Sequence, residues 1–475
     1  MHKTKLIKIL KSFSKSEIRR FSCFVKSFYR TGESKIIKLL REVVNYFPEF
    51  EDKNFTKQSL FNKLYPKKPY NDATIRKLIS YLRNLAEEFL IHQNLKRNDI
   101  VRNLYLLKEL SLRRADSLFE QTAALVEKQT KKYAKNTAFY YNRFRLLNII
   151  NSHYGLRKRS IAVSNYQKEA DSFFHYFFIE ALNIYIYLAN EKGISNREFD
   201  MILFNEVMSH LNNNPYTEIT SIPVYYNCLM LILTEEEKYF QILKEIKKTL
   251  DNKINYDELR IMYIVLQNFC VSRVKKGIIK FKWEAFELQK ESISGGFHLS
   301  GERIHTFTFL NIVSEAASVG ESLWGESFIQ KYRHLLEAEH EFDIVNLSYA
   351  KCEFSRKEYE KALTRLGKIN MENSQFKLSV KTLMLMIYYE LNSYDSAISL
   401  LDTYKHFIAR DKFLPKADRQ NRLKFAKYFK EILNLKTGMN KDINLVKMNV
   451  LSTDNFVEKE WFLGKIDELK LKGRF

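Results

Sequence analysis

Basic and amide side chains near the amino terminus are the residues whose types and spacing best suit a chemical role. From Asp72 to about His92, apolar residues recur at helical spacing, and Leu82 lies at the centre of the face that they form. The opposite half of that helix carries Arg76, Lys77, Ser80, Arg83 and Asn84. Side chains of these types reach phosphates and base edges, so the segment predicts a nucleic-acid-binding face. A solvated face on an ordinary amphipathic helix is the alternative.

The segments that must position this helix have the order found in one class of DNA-binding domain. Thr56 is expected to cap a short helix, which ends at an aromatic-proline pair and leads through a basic loop to the long helix. With Ser-Tyr-Leu-Arg at residues 80–83, residues 56–90 resemble the winged helix-turn-helix domains of bacterial response regulators and of repeat-containing transcriptional activators. The resemblance implies that Asn71 to Asn84 form the recognition helix. In contrast to that family, the turn is long, and residues 90–113 predict more helix in place of a wing.

No catalytic or cofactor-binding motif accompanies this face. The sequence contains neither a phosphate-binding glycine fingerprint nor an HExxH or CxxC metal signature. His298 lies within a glycine-rich segment at residues 292–303 and His305 follows it, and both are expected to be solvated, whereas the aromatic run at residues 173–178 is expected to lie in the core. The sequence therefore predicts no catalytic residues, cofactor, metal or small-molecule substrate.

A pattern of residues repeats in the last third of the chain. Tyr359-x-x-Ala362-Leu363-x-x-Leu366 recurs 35 positions later as Tyr394-x-x-Ala397-Ile398-x-x-Leu401. A period of about 34 residues is typical of helix–turn–helix units, and residues 343–409 resemble tetratricopeptide repeats. The resemblance implies stacked hairpins that bind a protein or peptide. In such hairpins the small alanines allow two helices to cross closely, and the tyrosines fill the gap between units.

Helical periodicity extends through most of the chain. Only 6 Pro and 13 Gly occur in 475 residues, which disfavours turn-rich β folds. Breaks fall about every 15–25 residues, for example at 155–157, 212–215, 252, 277 and 294–296. This pattern predicts an all-α protein of stacked helical hairpins, a tetratricopeptide-like α-solenoid with an N-terminal helical module. The predicted domains are a basic module at 1–95, a divergent array at 96–295 and tetratricopeptide-like repeats at 296–475.

The net charge of +22 is concentrated near the amino terminus. Residues 1–100 hold 22 Lys and Arg against 10 Asp and Glu, whereas residues 201–300 hold 12 of each. This asymmetry predicts a polyanion contact at the basic end, and codon bias towards lysine is the alternative.

Taken together, these features predict a non-enzymatic scaffold that binds a protein or peptide on its helical array. The alternative is a transcription regulator whose N-terminal module binds DNA. No apolar stretch approaches the ~18 residues of a membrane helix, and the four separated cysteines suit a reducing compartment, so a cytoplasmic location without membrane contact is expected.

Overall fold

The computed structural model describes residues 1–28, 34–131, 135–157, 163–195, 198–250, 254–370, 374–411, 414, 416–439, 442–453, 456 and 458–471. Almost all of the regular structure in these ranges is α-helical, which confirms the predicted all-α class. The only strands described are the two-residue pair β1 (Leu299–Ser300) and β2 (Arg303–Ile304), which pair antiparallel at the glycine-rich segment. None of the described helices combines the length and apolar character needed to cross a membrane.

The chain divides into two compact units, Met1–Tyr176 and Phe177–Phe475. The first contains α1 (Lys5–Lys11), α2 (Lys15–Ser27), α3 (Lys35–Val44), α4 (Lys57–Leu64), α5 (Asp72–Arg97), α6 (Asp99–Leu112), α7 (Asp116–Thr130), α8 (Thr137–Leu156) and the first part of α9 (Val163–Ser195). The division falls inside α9 and coincides with neither predicted domain limit. The predicted limits at 95/96 and 295/296 stay predictions.

The second unit continues from the later part of α9. It contains α10 (Phe204–Asn213), α11 (Ser221–Thr234), α12 (Glu237–Leu250), α13 (Tyr256–Lys275), α14 (Lys280–Ser294), α15 (Thr306–Ser318), α16 (Ser322–Tyr332), α17 (Ala338–Ser355), α18 (Tyr359–Leu366), α19 (Ser374–Glu390), α20 (Tyr394–Arg410), α21 (Lys416–Lys436), α22 (Ile443–Ser452) and α23 (Lys459–Leu471). The predicted breaks at 155–157, 212–215, 277 and 294–296 are confirmed by the ends of α8, α10, α13 and α14. The break predicted at residue 252 lies outside the described residues.

The first five helices form one hydrophobic core around α5. Helix α5 contacts each of α1 to α4, and its buried face consists of Ile75, Ile79, Leu82, Leu85, Ala86 and Phe89. Local signals set the helix starts: Asn71 accepts from the amide of Thr74 at 2.9 Å, and Ser14 forms a capping box with Glu17. The predicted amphipathic face of α5 is therefore confirmed, although the helix continues five residues beyond His92.

A buried polar cluster joins the ends of α6, α7 and α8. The His153 ring stacks on Phe119 at a centroid distance of 3.6 Å, and its Nδ1 lies 3.0 Å from Ser111 Oγ. Arg157 Nε lies 2.5 Å from Asp116 Oδ1, and another guanidinium nitrogen donates to the Ser111 carbonyl at 2.9 Å. Hydrogen bonds of this kind satisfy carbonyls at a helix end, so the cluster fixes the three helices against one another.

In the second unit, helices contact both their neighbours in sequence and the next helix but one. Neighbour contacts include α11–α12, α13–α14, α15–α16, α17–α18, α19–α20 and α22–α23. The pairs one helix further apart include α11–α13, α15–α17, α17–α19 and α21–α23. Consecutive hairpins along α15 to α23 therefore share two extended clusters of buried side chains.

Candidate functional site

The side chains predicted to read nucleic acid lie on the outer face of α5. Arg76, Lys77, Ser80 and Asn84 are exposed, and Arg83 is half-buried. Two of the basic groups already have carboxylate partners on the same helix: Arg76 Nε lies 2.5 Å from Asp72 Oδ2, and Arg83 Nε lies 3.4 Å from Glu87 Oε1. Lys77 has no such partner among the described residues. The face is thus less positive than its basic residues alone suggest.

Asp72 is held in its charged form by several neighbours. The Tyr70 hydroxyl donates to Asp72 Oδ1 at 2.8 Å and lowers the pKa of this carboxyl, and Arg76 and Lys57 lower it further. A phosphate bound by Arg76 would therefore compete with a stable carboxylate at the start of α5.

The residues predicted to pack the repeats occupy equivalent positions in two hairpins. Ala362 and Ala397 are fully buried in α18 and α20, and each lies three residues after the tyrosine that begins its helix. Tyr359 is half-buried, and its ring lies 5.6 Å from that of Phe354. Tyr394 packs against the cluster of buried side chains in α19 to α23. The structure places these four residues at helix-to-helix contacts.

An open cleft between α8 and the start of α9 was not anticipated from the sequence. Its volume is 560 Å³, within the range of about 300–1,000 Å³ that is usual for ligand sites. Its lining consists of the apolar residues Phe144, Tyr166, Ala170, Phe173 and Phe174 and the polar residues Asn148, Asn151, Ser152 and Glu169. All of these residues belong to the first unit.

Three aromatic side chains around this cleft are exposed. Tyr166, Phe173 and Phe174 are 54%, 40% and 51% exposed, and the Phe173 ring lies 5.3 Å from Phe144 and 5.4 Å from Phe174. The prediction that the whole run at residues 173–178 lies in the core is therefore wrong, although Phe178 is buried. Six consecutive residues on a helix point in every direction around its axis, so one buried face cannot hold them all. The unbroken length of this run is therefore the feature of the sequence that indicates an exposed aromatic surface.

The charge in the cleft comes from one carboxylate held by two amides. Glu169 Oε1 accepts from Asn148 Nδ2 at 2.9 Å, and Oε2 accepts from Asn151 Nδ2 at 2.5 Å. Asn151 is 6% exposed, and its Oδ1 has no hydrogen-bond partner in the described part of the chain. Glu169 has no ion-pair partner among the described residues. Within the described residues, the cleft therefore combines π faces with a carboxylate that has no countercharge.

Two other concave regions lie in the second unit, and polar groups of the larger one are already paired. A cleft of 800 Å³ lies between the end of α13 and α22–α23, where Lys276 pairs with Glu235 and Lys459 donates to the carbonyls of Leu451 and Thr453. A smaller cavity of 350 Å³ is lined by residues that include His305, Glu337 and His340. Within the described ranges, no group of three or more His, Cys, Asp or Glu side chains is placed to hold a metal ion.

One histidine and two cysteines that lie apart from the cleft are buried in the structure. His298, expected to be solvated, is instead buried, and burial lowers the pKa of its ring. Burial likewise raises the pKa of the Cys270 and Cys352 thiols to about 12, which leaves them protonated and weakly nucleophilic.

No protein-family model matches the chain, and comparison with curated proteins and with solved structures also found no match. Its function therefore has to be inferred from its own residues.

Proposed function

We propose that the protein is a non-enzymatic scaffold that binds a segment of a partner polypeptide, with the aromatic cleft between α8 and α9 as one contact. The observation that carries this proposal is the exposure of Tyr166, Phe173 and Phe174 around a concave site. Exposed aromatic patches are uncommon on surfaces that bind nothing, and tyrosine is enriched among residues that dominate binding energies.

The arrangement of the second unit supports the same proposal. A tetratricopeptide-like α-solenoid, in which each hairpin buries its apolar side on the next, is expected to have contacts between neighbouring helices and between helices two apart, and such contacts support this architecture as part of the proposal. Such arrays present extended surfaces to proteins or peptides and need no cofactor. A cytoplasmic location remains part of the proposal, because the buried, protonated cysteines suit a reducing environment.

Replacing Phe173 and Phe174 together by alanine is expected to weaken peptide binding by at least about tenfold, because truncating a central aromatic contact commonly costs more than about 1 kcal/mol. The measurement is a peptide-display selection against the full-length protein, followed by fluorescence anisotropy with the selected peptides. Leu112→Ala removes a side chain of the same unit that is 74% exposed and lies outside the cleft, and it serves as the control. If no peptide is selected, the scaffold proposal fails; if the selected peptides bind the double variant normally, the cleft is not the contact.

DNA binding by the N-terminal module is a second candidate, favoured by an exposed basic loop before α5 and by the exposed Lys77, which has no ion-pair partner among the described residues. Lys67 and Lys68 lie in the loop before α5, and Lys68 Nζ lies 5.8 Å from the centre of the Tyr65 ring. These lysines, rather than the carboxylate-paired arginines, would make the first phosphate contacts.

Charge reversal at Lys67, Lys68 and Lys77 is expected to lower the affinity of the full-length protein for duplex DNA by at least about tenfold at low salt. It should also reduce the salt dependence, since each lost phosphate contact reduces the slope of log binding constant against log salt concentration by about 0.9. Electrophoretic mobility shift at several salt concentrations measures both. The matched control reverses Lys368, Lys427 and Lys430, which are exposed in the second unit and give the same change of net charge. Equal losses in the two triple variants would show a non-specific charge effect and no DNA-binding face at α5.

A further inference from the structure

We propose that the cleft between α8 and α9 receives an arginine side chain of the partner polypeptide, with its guanidinium paired to Glu169 and stacked against the aromatic rings. This inference rests on the proposed scaffold function and specifies the chemistry of the bound segment.

The carboxylate of Glu169 has unused hydrogen-bonding capacity. Each of its oxygens accepts one amide hydrogen, from Asn148 or Asn151, whereas a carboxylate accepts about four. Because both partners among the described residues are neutral, the amides orient the negative charge without compensating it. A bound cation with parallel N–H groups would fill the remaining acceptor positions and supply the missing charge.

The buried amide of Asn151 orients the Glu169 carboxylate. Because the carboxylate of Glu169 can only accept, it must face the amide nitrogen. The Oδ1 atom itself lies inside the protein, without a hydrogen bond among the described residues, and is not accessible to a ligand. The acceptor that the cleft presents to a ligand is therefore the carboxylate of Glu169.

The aromatic rings select a flat, delocalised cation. Phe144, Tyr166, Phe173 and Phe174 offer π faces, and a guanidinium within ~6 Å of such a ring gains cation–π attraction and stacking. Arg145 of α8 already makes such a contact: its guanidinium lies 5.6 Å from the ring centre of Tyr105 and 5.4 Å from that of Tyr141. Arginine therefore satisfies both the rings and the carboxylate.

Other occupants leave part of the site unsatisfied. An aliphatic side chain would bury the Glu169 charge without a countercharge, and a fully methylated ammonium has no hydrogen to donate. A nucleic-acid base would stack on the rings, but its phosphates would approach the uncompensated Glu169 charge.

The test uses peptides selected by the full-length protein, with Glu169→Gln and citrulline substitution as the probes of charge. Selected peptides that depend on Phe173 and Phe174 are expected to share one arginine. Replacing that arginine by the neutral isostere citrulline, or Glu169 by glutamine, is expected to weaken binding by about tenfold or more, and the two changes together by little more than either alone. Asp171→Asn is the matched control, because Asp171 is an exposed carboxylate on α9 outside the cleft.

The outcomes distinguish the arginine assignment from the scaffold function on which it rests. Peptides that bind through Phe173 and Phe174 but tolerate both citrulline and Glu169→Gln would overturn the arginine assignment and leave the scaffold function standing. Failure to select any peptide sensitive to Phe173 and Phe174 would overturn the assignment together with its parent proposal. Equal weakening by Asp171→Asn and Glu169→Gln would show a general charge effect and would also overturn it.

Discussion

Replacing Arg365 by glutamine is expected to lower the free energy of unfolding of the second unit by about 3 kcal/mol, the lower end of the cost of breaking a buried ion pair. Arg365 in α18 donates from Nε to Glu353 Oε1 at 2.6 Å, and this contact joins the two helices of one hairpin. Glu353 is only 4% exposed, whereas the side chain of Arg365 is 35% exposed. The arginine therefore shields a carboxylate that water hardly reaches.

Removal of the arginine leaves the Glu353 charge in an unfavourable place. The residue lies near the carboxyl end of α17, where the helix dipole disfavours a negative group, and its Oε2 has no hydrogen-bond partner among the described residues. The guanidinium also lies 4.5 Å from the centre of the Tyr349 ring, a contact that glutamine cannot replace. The variant thus loses one attractive contact and retains an uncompensated charge.

Urea unfolding followed by tryptophan fluorescence measures this loss, since Trp283, Trp324 and Trp461, the only three tryptophans, all lie in the second unit. The double variant Glu353→Gln/Arg365→Gln is expected to recover about 2 kcal/mol of the loss because it removes the buried charge as well. Lys361→Gln is the control: it breaks a 3.1 Å pair between an exposed lysine of α18 and Glu358, the residue that precedes this helix. If Arg365→Gln moved the unfolding midpoint no more than Lys361→Gln, the Glu353 pair would have no structural role.

The sequence predicts helices well where a single face carries the pattern. In α5 the buried residues Ile75, Leu82 and Phe89 recur at helical spacing, so both the helix and its inner face follow from neighbours within a few turns. The same holds for the capping box at Ser14 and Glu17, where four residues contain the whole signal. Interactions between residues close in the sequence are therefore sufficient to predict these helices and caps.

Helical spacing and capping motifs do not show which side chains of two different helices contact one another. The repeat is evident in Ala362 and Ala397, but Glu353 and Arg365 correspond to Tyr388 and Leu400 in the next copy, so the ion pair does not recur. In the cleft, Glu169 meets Asn148 and Asn151 across a helical hairpin, a contact set by how α8 and α9 approach one another. Fixing such contacts requires the tertiary structure, because many surface residues of each helix could face the other.

The limits of the two units were likewise invisible in the sequence. The division between Tyr176 and Phe177 falls within a continuous helix that has no glycine or proline near it, whereas linkers between domains are usually sought at such residues. An aromatic run that looked like core instead spans this division and supplies the exposed rings of the cleft.

Replacing Glu315 by glutamine is expected to stabilise the second unit by up to about 3 kcal/mol above pH 7, because a tenfold difference in proton affinity between the folded and unfolded states corresponds to about 1.4 kcal/mol. Burial in α15 raises the pKa of Glu315 to about 7 from the usual 4.5, and its Oε2 has no hydrogen-bond partner among the described residues. The folded state therefore binds this proton more tightly than the unfolded chain. The parent protein should lose this contribution to stability as pH rises from about 4.5 to 7 and show no further loss from this group above that range.

Glutamine remains neutral throughout, so the difference between variant and parent should be near zero at about pH 4.5, grow through the window and level off above about pH 7. The thiol of Cys270, which faces Glu315 from α13, has a pKa of about 12 and does not titrate there. Urea unfolding at several pH values, again by tryptophan fluorescence, gives the profile, and Glu302→Gln is the control for the same change at an exposed carboxyl. A constant difference across pH would mean that Glu315 is not titrating in this window, and a lower stability of the variant at pH 8 would mean that the buried carboxylate has a compensating partner.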